Sequence, residues 1–319
     1  MNTDLIYGII FMILIILELS YFKIADKFNI IDKPNQRSSH TRITLRGGGV
    51  LFYLGMLLYT AFFGVQYLWF IAGLTLISVI SFIDDVHPLS SKVRLVFHFS
   101  AMALMFYQWG MFGMPWWYIL IALIFCTGII NAYNFMDGIN GITGGYSLAV
   151  LLPLIYINRS VEFIDPNFLI VATLAVLVFN VFNFRKKAKC FAGDVGSVSI
   201  AFILLFALGK LILQTHDLTY IMLLAVYGVD SVLTIIHRIL LGEPIMEPHR
   251  KHAYQLMANE LKIPHVVVSS FYMLLQLAVS AGLLYFSSYA WGYSASCLIV
   301  LGSAYVLFKR KYFYLHQMV

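Results

Sequence analysis

The sequence predicts an all-α, polytopic membrane protein. Hydrophobic residues make up 61% of the 319 residues and charged residues only 11%, and the mean hydropathy is +0.84. A soluble domain of this size carries roughly a quarter charged residues. Long apolar runs recur along the whole chain, and many approach the roughly 20 residues that a transmembrane helix needs. Because a bilayer core cannot solvate the backbone, we expect these runs to be helices.

About eleven spans are expected in one transmembrane domain that covers residues 1–319. Their approximate bounds are 5–24, 48–65, 67–83, 95–112, 115–131, 142–157, 167–183, 197–214, 219–238, 265–286 and 292–308. We find no soluble domain, internal repeat or low-complexity segment in the sequence. The longest connection, at 239–264, is expected to contain a short amphipathic helix near 250–261.

The distribution of basic residues predicts how the spans are oriented. Nearly all lysines and arginines fall in alternate connections, and the opposite connections contain Arg159 alone. The basic connections are 25–47, 84–94, 132–141, 184–196, 239–264 and the tail from 309. Since cytoplasmic loops carry the excess of basic residues, we expect the N-terminus outside and the C-terminus in the cytoplasm. The net charge of +6 therefore follows from topology and does not indicate nucleic-acid binding.

The segment 131–145 is polar and glycine-rich and lies between two long apolar runs. Asn131, Asn134 and Asp137 follow at three-residue spacing, so they would share one face at a helix end. Four glycines follow within 138–145 and allow the backbone to approach a ligand closely. Carboxylate and carboxamide groups at the edge of a bilayer indicate metal and phosphate chemistry on a membrane-bound substrate.

The adjacent carboxylates of Asp84 and Asp85 come directly after an apolar run. Such a pair repels itself unless a cation or solvent intervenes, and it can bind Mg²⁺ through oxygen or supply a general base. The alternative is a solvated turn at a helix C-terminus, which the helix dipole disfavours for acidic residues.

Three further cytoplasmic connections contain candidate groups. Arg46 precedes the glycines at 47–49, a combination that can hold phosphate through charge and backbone N–H groups. Asp194 lies between glycines where a helix is expected to begin, so it could also be the N-cap of that helix. His249 and His252 flank two basic residues and form either a phosphate-binding cluster or a solvated basic loop. Together, these groups predict a phosphoryl-transfer site on the cytoplasmic face.

In its motifs the chain resembles the polyprenyl-phosphate N-acetylhexosamine-1-phosphate transferases, the superfamily that includes the phospho-MurNAc-pentapeptide translocase. The resemblance covers almost the whole chain. The motifs that carry it are Asp32-Lys33-Pro34-Asn35, Arg46-Gly47-Gly48-Gly49, Asp84-Asp85, Asn131-x-x-Asn134-x-x-Asp137-Gly138, Phe191-x-Gly193-Asp194-x-Gly196-Ser197 and His249-x-x-His252.

This resemblance implies transfer of a sugar-1-phosphate from a UDP-N-acetylhexosamine to undecaprenyl phosphate, with release of UMP. The protein would lie in a bacterial cytoplasmic membrane with its active site facing the cytoplasm. It would use Mg²⁺, with Mn²⁺ as a substitute, and would initiate a cell-envelope polysaccharide such as an O-antigen of lipopolysaccharide. Homodimerisation is left open.

The resemblance also assigns roles to individual residues. The implied catalytic residues are Asp84, Asp85, Asp137, His249 and His252, the implied binding residues are Asn131, Asn134, Phe191, Asn183 and Arg46, and the implied metal ligand is Asp194. Phe191 would stack on the uracil, and Asp84 would deprotonate or orient the lipid phosphate. Direct attack by that phosphate and a covalent aspartyl intermediate both stay open.

Two departures from the family pattern bear on the substrate. Asn140 stands where the family often has a second aspartate, and the histidine cluster is sparse. Both favour a small UDP-N-acetylhexosamine, and transfer of phospho-MurNAc-pentapeptide is the alternative. A secondary transporter, from another class, would need ionisable residues near the bilayer midplane. Glu18, Lys210 and Asp230 are the only acids or bases well inside spans, whereas the acid-rich motifs lie at the cytoplasmic boundary. Asp230 either supports the site or satisfies helix packing, and we favour helix packing.

Overall fold

Long helices make up most of the computed structural model, which describes residues 2–34, 39–40, 42–244, 249–312 and 314–315. The helices are α1 (Thr3–Lys27), α2 (Val50–Phe63), α3 (Leu68–Val86), α4 (Ser91–Gln108), α5 (Trp116–Met136), α6 (Ile142–Val161), α7 (Pro166–Asn183), α8 (Gly193–Thr215), α9 (Ala225–Leu240), α10 (Ala253–Gln255), α11 (His265–Tyr285) and α12 (Ala290–Tyr312). Short 3₁₀ segments occupy Met111–Gly113, Leu218–Leu224 and Ser287–Tyr289, and Leu256–Glu260 is a π-helix. This architecture confirms the predicted fold class.

Eight helical segments of the described chain are long and apolar enough to cross a membrane. They are α1, α3, α5, α7, α8, α9 with the 3₁₀ turn before it, α11, and α12 with the turn before it. α2 is a shorter apolar helix, and α4 and α6, although predicted as spans, are not among the eight. The chain is therefore a multi-pass membrane protein, while the eleven crossings and their orientation stay predictions.

Three helices extend into connections that the sequence analysis placed outside the spans. Asp84 and Asp85 lie in the last turn of α3, Asn134 is part of α5, and Asp194 lies in the first turn of α8. These helices do not end at their polar side chains, because the backbone of the same residues continues to form helical hydrogen bonds. The candidate residues are therefore mostly fixed on helix ends instead of on mobile loops.

The central helix of the bundle is α8, the most enclosed of the eight apolar segments. It packs against α2, α3, α5 and α6, and Phe206 stacks on Phe70 of α3 with ring centroids 4.2 Å apart. Near its N-terminus, a Cβ atom at Gly49 would collide with the backbone of Gly196. Only glycine therefore lets the start of α2 touch the first turn of α8.

A small sheet, absent from the all-α prediction, connects the first loop to the start of α8. Strands β1 (Ile31–Asp32) and β2 (Thr44–Leu45) pair antiparallel. The Phe191 N–H donates to the Leu45 carbonyl at 2.8 Å, and the Gly48 N–H donates to the Phe191 carbonyl at 2.9 Å. These bonds hold the segment around Arg46 against the segment around Phe191.

The region predicted as an amphipathic helix near 250–261 contains α10 and the π-helical segment after it. Residues 245–248 lie outside the described part of the chain. The Tyr254 hydroxyl donates to the Phe135 carbonyl at 2.8 Å. This bond fixes α10 beside the end of α5, and hence beside the motif at 131–138.

Candidate active site

A polar cavity of about 280 Å³ lies where β1, α5, α7, α8 and α10 approach one another. Its wall contains Asp32, Ser39, His40, Arg46, Asn134, Asp137, Gly138, Ile139, Asn183, Phe191, Gly193, Asp194 and Gln255. Six of the predicted site residues are on this wall, and they come from four separate stretches of sequence. The structure thus brings together most of the motifs found in the sequence.

Two arginines and three aspartates form an ion-pair cluster at one side of the cavity. Arg46 Nε lies 2.6 Å from Asp85 Oδ1, and Arg46 Nη2 lies 3.3 Å from Asp194 Oδ1. Arg94 Nη1 lies 2.9 Å from Asp84 Oδ2 and 3.8 Å from Asp194 Oδ2. Each arginine therefore binds one member of the aspartate pair and also reaches Asp194. Three carboxylates therefore share two guanidinium groups in this cluster.

Asp85 serves as the cap of α8. Its Oδ1 accepts the N–H of Asp194 at 2.9 Å, and its Oδ2 accepts the N–H of Val195 at 2.9 Å. With Arg46 added, both oxygens are occupied, and the side chain is 0% exposed. The N-cap position itself is Ala192, so the alternative that Asp194 caps its own helix is wrong. This geometry assigns Asp85 to positioning Asp194 and Arg46.

Asp84 has a different environment from its neighbour. Its Oδ1 accepts the Leu89 N–H at 2.6 Å and its Oδ2 accepts from Arg94 at 2.9 Å. These bonds close the turn between α3 and α4. Asp84 is not on the wall of the 280 Å³ cavity, and it is connected to that cavity through Arg94, whose side chain is 36% exposed.

The end of α5 contributes Asn134 and Asp137. Thr143 Oγ1 donates to Asp137 Oδ1 at 2.6 Å, and Ser197 Oγ donates to Asn134 Oδ1 at 3.1 Å. Desolvation raises the pKa of Asp137 to about 7, although the Thr143 hydrogen bond acts in the opposite direction. Asn131, one turn earlier, is exposed and does not reach the cavity wall. Its predicted binding role has no support in this arrangement.

Phe191 and His40 form an aromatic corner of the cavity. Their ring centroids are 4.7 Å apart in an edge-on arrangement. Among the described residues, His40 Nε2 is buried without a hydrogen-bond partner, although the ring lies on the cavity wall. The predicted site did not include His40, and the only signal for it was its place in a polar run before the triple glycine. This corner offers a flat apolar face beside a polar nitrogen.

Asn183, predicted to bind a ligand, also holds two loops together. Its Oδ1 accepts the Gly141 N–H at 2.7 Å, and its Nδ2 donates to the Cys190 carbonyl at 2.8 Å. It therefore fixes the glycine-rich turn after α5 against the segment leading to Phe191. Its presence on the cavity wall is compatible with both roles.

The departure at Asn140 has a structural reason. Its Nδ2 donates to the Arg185 carbonyl at 2.9 Å and to the Lys186 carbonyl at 3.3 Å. A carboxylate at this position would have no N–H to donate and would face two carbonyl oxygens. The side chain thus points to the connection before α8 and not into the cavity. Position 140 does not supply a metal ligand in this chain.

The two histidines of the fifth connection lie behind the cavity wall. His252 is 1% exposed, and its Nδ1 lies 3.3 Å from Asp230 Oδ1. The His249 ring stacks on the His252 ring at 5.1 Å. Desolvation and the neighbouring His252 lower the pKa of His249 to about 3, so it is neutral near pH 7. In this structure neither histidine reaches the wall, whereas Gln255 does.

Asp230 anchors this connection to the bundle, so it supports the site in addition to packing between helices. Besides His252, its carboxylate accepts the Ala253 N–H at 3.0 Å and the Tyr272 hydroxyl at 2.6 Å. These bonds set the start of α10 and therefore the position of Gln255. A sequence pattern could not indicate this, because Asp230 and Ala253 are 23 residues apart.

The donor set of the cavity suits Mg²⁺ better than Zn²⁺. Among the described residues, no three His, Cys, Asp or Glu side chains converge as a preformed metal group. Asp137 and Asp194 nevertheless both lie on the cavity wall. Mg²⁺ is typically bound by one or two carboxylates, with phosphate oxygens and water completing its shell, whereas Zn²⁺ sites need three or four protein ligands.

Comparison with known proteins gives a consistent family. Residues 67–212 match the sequence model of glycosyl transferase family 4, a segment that includes all of α3–α7 and most of α8. The four aspartates at 84, 85, 137 and 194 lie within it.

Bacterial relatives extend the similarity over about three quarters of the chain. A probable undecaprenyl-phosphate N-acetylglucosaminyl 1-phosphate transferase of Bacillus subtilis (strain 168) is 27% identical over 261 residues, which is 74% of this chain and 72% of the relative. The undecaprenyl-phosphate alpha-N-acetylglucosaminyl 1-phosphate transferase of Escherichia coli (strain K12) is 27% identical over 80% of this chain and 76% of its own length. The protein of that name in Yersinia pestis is 26% identical over 81% and 76%. The match over residues 67–212 and the names of these relatives agree, so this chain is similar to proteins of glycosyl transferase family 4.

Proposed function

We propose that this transferase moves a sugar-1-phosphate from a UDP-N-acetylhexosamine to undecaprenyl phosphate and releases UMP. The observation that carries the proposal is the position of Asp194, which lies between Arg46 and Arg94 on the wall of a polar cavity. The names of the relatives support N-acetylglucosamine as the first sugar to test. The basic connections support a cytoplasmic site in a bacterial inner membrane.

The two arginines lie where they can contact the phosphates of the two substrates. A UDP-sugar and a lipid phosphate are both anionic, so they repel each other in a cavity of low dielectric. The side chains of Arg46 and Arg94 are 33% and 36% exposed, and both remain open to a ligand while they hold their aspartates. Guanidinium groups bind phosphate oxygens in a fixed planar geometry. We assign these two residues to orienting the phosphates.

Asp194 is the residue proposed to hold Mg²⁺, with Asp137 as the second carboxylate. When bound, the ion would neutralise pyrophosphate charge and polarise the phosphoryl oxygens. Asp85 keeps Asp194 in place by accepting the N–H groups at the start of α8. The Ser197 hydroxyl donates a hydrogen bond to Asn134 and so fixes that side chain on the adjacent wall.

We propose that the nucleotide binds at the corner formed by Phe191 and His40. A uracil ring can stack on the open face of Phe191, as bases do on aromatic side chains. The buried His40 Nε2 can then form a hydrogen bond to an oxygen of the base or ribose, which would satisfy a nitrogen that has no partner among the described residues. Phe191 is three residues before Asp194, so a base at one and a pyrophosphate at the other suit one nucleotide.

We propose direct attack by the lipid phosphate, because the hydrogen bonds of Asp84 and Asp85 disfavour either one as the nucleophile of a covalent intermediate. A covalent intermediate needs an aspartate with a free, exposed oxygen. Both oxygens of Asp85 accept N–H donors, and those of Asp84 accept from Leu89 and Arg94. We therefore propose that Asp84 acts through Arg94 to orient the lipid phosphate at the end of α3.

The test is UMP release by the purified protein with undecaprenyl phosphate, Mg²⁺ and a panel of UDP-sugars. We expect release with a UDP-N-acetylhexosamine, complete loss in EDTA, and recovery with Mg²⁺ or Mn²⁺. Asp194→Asn protein serves as the inactive control. UDP-MurNAc-pentapeptide in the same panel tests the peptidoglycan alternative. If none of the UDP-sugars in the panel supported UMP release, the proposal would be overturned. Full activity in EDTA would overturn its metal requirement.

A further inference from the structure

A second and larger cavity, of about 680 Å³, lies at the other end of the bundle. Lys210 is on its wall and follows Asp194 by 16 positions on α8, which is roughly 24 Å along a helix that rises 1.5 Å per residue. The last turns of α6, the start of α7 and the turn before α3 complete the wall. None of its lining residues is shared with the candidate active site. It is therefore a separate site on the side of the membrane away from the active site.

Two cations of this cavity have no carboxylate partner. Within the described residues, no Asp or Glu oxygen lies within 4.0 Å of the side-chain nitrogens of Lys210 or Arg159. The Lys210 ammonium instead lies 5.5 Å from the centroid of the Tyr67 ring. Lys210 is partly buried on an apolar helix long enough to cross the membrane. A charge in such a position is unfavourable unless a counter-ion or polar ligand accompanies it.

The acidic groups nearby do not provide that counter-ion. The carboxylate of Asp165 accepts from the Tyr59 hydroxyl at 2.9 Å, from Gln66 Nε2 at 3.0 Å and from Asn167 Nδ2 at 2.7 Å. Its hydrogen-bonding capacity is thus used within the protein. The other acid, Glu162, is exposed in the connection between α6 and α7. Glu162 is on the cavity wall but, among the described residues, forms no ion pair with Lys210 or Arg159, so both cations can contact a ligand.

The rest of the wall is partly apolar. Ile155, Leu169 and Ile170 line the cavity together with the cations. The cavity volume is within the range of small-molecule sites and exceeds what a bare phosphate ion would fill. A ligand with an anionic headgroup and a hydrocarbon part can contact both the cations and the apolar side chains of this wall. Such amphiphiles are supplied by the leaflet in which this end of the helices lies.

We propose that this cavity binds the phosphate headgroup of an anionic phospholipid, with Lys210 and Arg159 as the contacts to the phosphate and Tyr67 beside the ammonium. The same phosphate chemistry could come from a free phosphate ion, so the experiment separates the two sources. The proposal does not depend on the sugar-phosphate reaction, because the two cavities share no residue.

The experiment measures lipid retention and thermal stability of the full chain. Protein in nanodiscs of phosphatidylcholine with phosphatidylglycerol is extracted into detergent, and bound phosphatidylglycerol is counted by native mass spectrometry. We expect Lys210→Gln and Arg159→Gln each to lower retention about fivefold, the usual effect of one basic residue at an anionic lipid surface. Lys187→Gln, an exposed lysine outside the cavity, is the matched control and should retain lipid as the wild type does.

In the second arm, melting is followed in detergent with added phosphatidylglycerol, phosphatidylcholine or inorganic phosphate. The proposal requires that phosphatidylglycerol, but neither phosphatidylcholine nor inorganic phosphate, raises the melting temperature of the wild type. This increase should be lost in Arg159→Gln, which changes an exposed residue of the cavity. Equal lipid retention in all variants would overturn it. Stabilisation by inorganic phosphate without retained lipid would overturn the lipid assignment. Circular dichroism shows whether each variant is folded.

Discussion

Exchanging Asp85 and Asp194 separately for asparagine should distinguish the residue that builds the site from the residue that faces the ligand. Asp85 accepts three N–H donors, from Arg46, Asp194 and Val195, and its side chain is fully buried. Asparagine keeps one oxygen, and its amide group would face a further N–H donor. At least one buried donor would be left unsatisfied, and Arg46 would lose its closest counter-charge.

The expected loss of stability follows from these contacts. A buried donor without an acceptor costs about 1–3 kcal/mol, and removing one partner of a fully buried ion pair costs about 3–5 kcal/mol. Because the Arg46 side chain is 33% exposed, solvent reduces the second contribution. We therefore expect Asp85→Asn to lower the free energy of unfolding by about 2–4 kcal/mol and to reduce turnover as well.

Asp194→Asn is the matched comparison. The Asp194 side chain is 20% exposed, and its contacts to the two arginines are longer, at 3.3 and 3.8 Å. Loss of such partly exposed pairs costs about 1 kcal/mol or less. Turnover, in contrast, should fall on the order of a hundredfold if the metal ligand is removed. Asp194→Asn should therefore be stable and inactive.

Both quantities can be measured on one preparation. Melting in detergent gives the stability of each variant, and UMP release at saturating substrates gives its turnover. The reasoning predicts a clearly lower melting temperature for Asp85→Asn than for Asp194→Asn. Equal melting temperatures would refute the capping role of Asp85, and wild-type turnover in Asp194→Asn would remove that residue from the site.

Three further predictions follow from the same geometry. Phe191→Ala should weaken UDP-sugar binding by about 1–3 kcal/mol while Phe191→Tyr preserves it; an unchanged KM for the UDP-sugar in the alanine variant would exclude stacking. Asn140→Asp should lower the melting temperature, because the two carbonyls at 185–186 lose their donor, with little change in that KM; a large KM change at normal stability would place position 140 in the cavity. Cysteines introduced at the exposed positions 42, 186 and 187 should react with an impermeant thiol reagent from the cytoplasmic side only, and reaction from outside would reverse the orientation.

The helices were predictable because each depends on a contiguous property of the sequence. A run of apolar residues near the thickness of a bilayer needs no knowledge of its neighbours. Helix ends were less predictable, as Asp84 and Asn134 show. A polar side chain marks the edge of an apolar run, but the backbone continues to hydrogen-bond for another turn. The two-residue strands β1 and β2 are too short to have a pattern of their own.

Site residues were predictable where they lie in a local sequence motif. They were not predictable where the fold brings together residues that are distant in sequence. Arg46, Asp137 and Asp194 could be identified from their glycine-rich surroundings. Arg94 could not, because in sequence it is one more basic residue of a cytoplasmic connection, and its pairing with Asp194 bridges α4 and α8. The cap that Asp85 provides joins positions 109 and 110 residues apart. No local pattern in a single sequence reports such contacts.

The most direct test of the proposed reaction follows the β-phosphorus of the UDP-sugar. In the proposed step, an oxygen of undecaprenyl phosphate attacks the β-phosphorus. The bond between this phosphorus and the oxygen that bridges the two phosphates breaks, and UMP leaves with the bridging oxygen. With the β-phosphate isotopically labelled, we predict that the label enters the lipid fraction together with the sugar and that the released UMP is unlabelled. Label recovered in released UDP would mean that the sugar alone is transferred and would contradict the proposal.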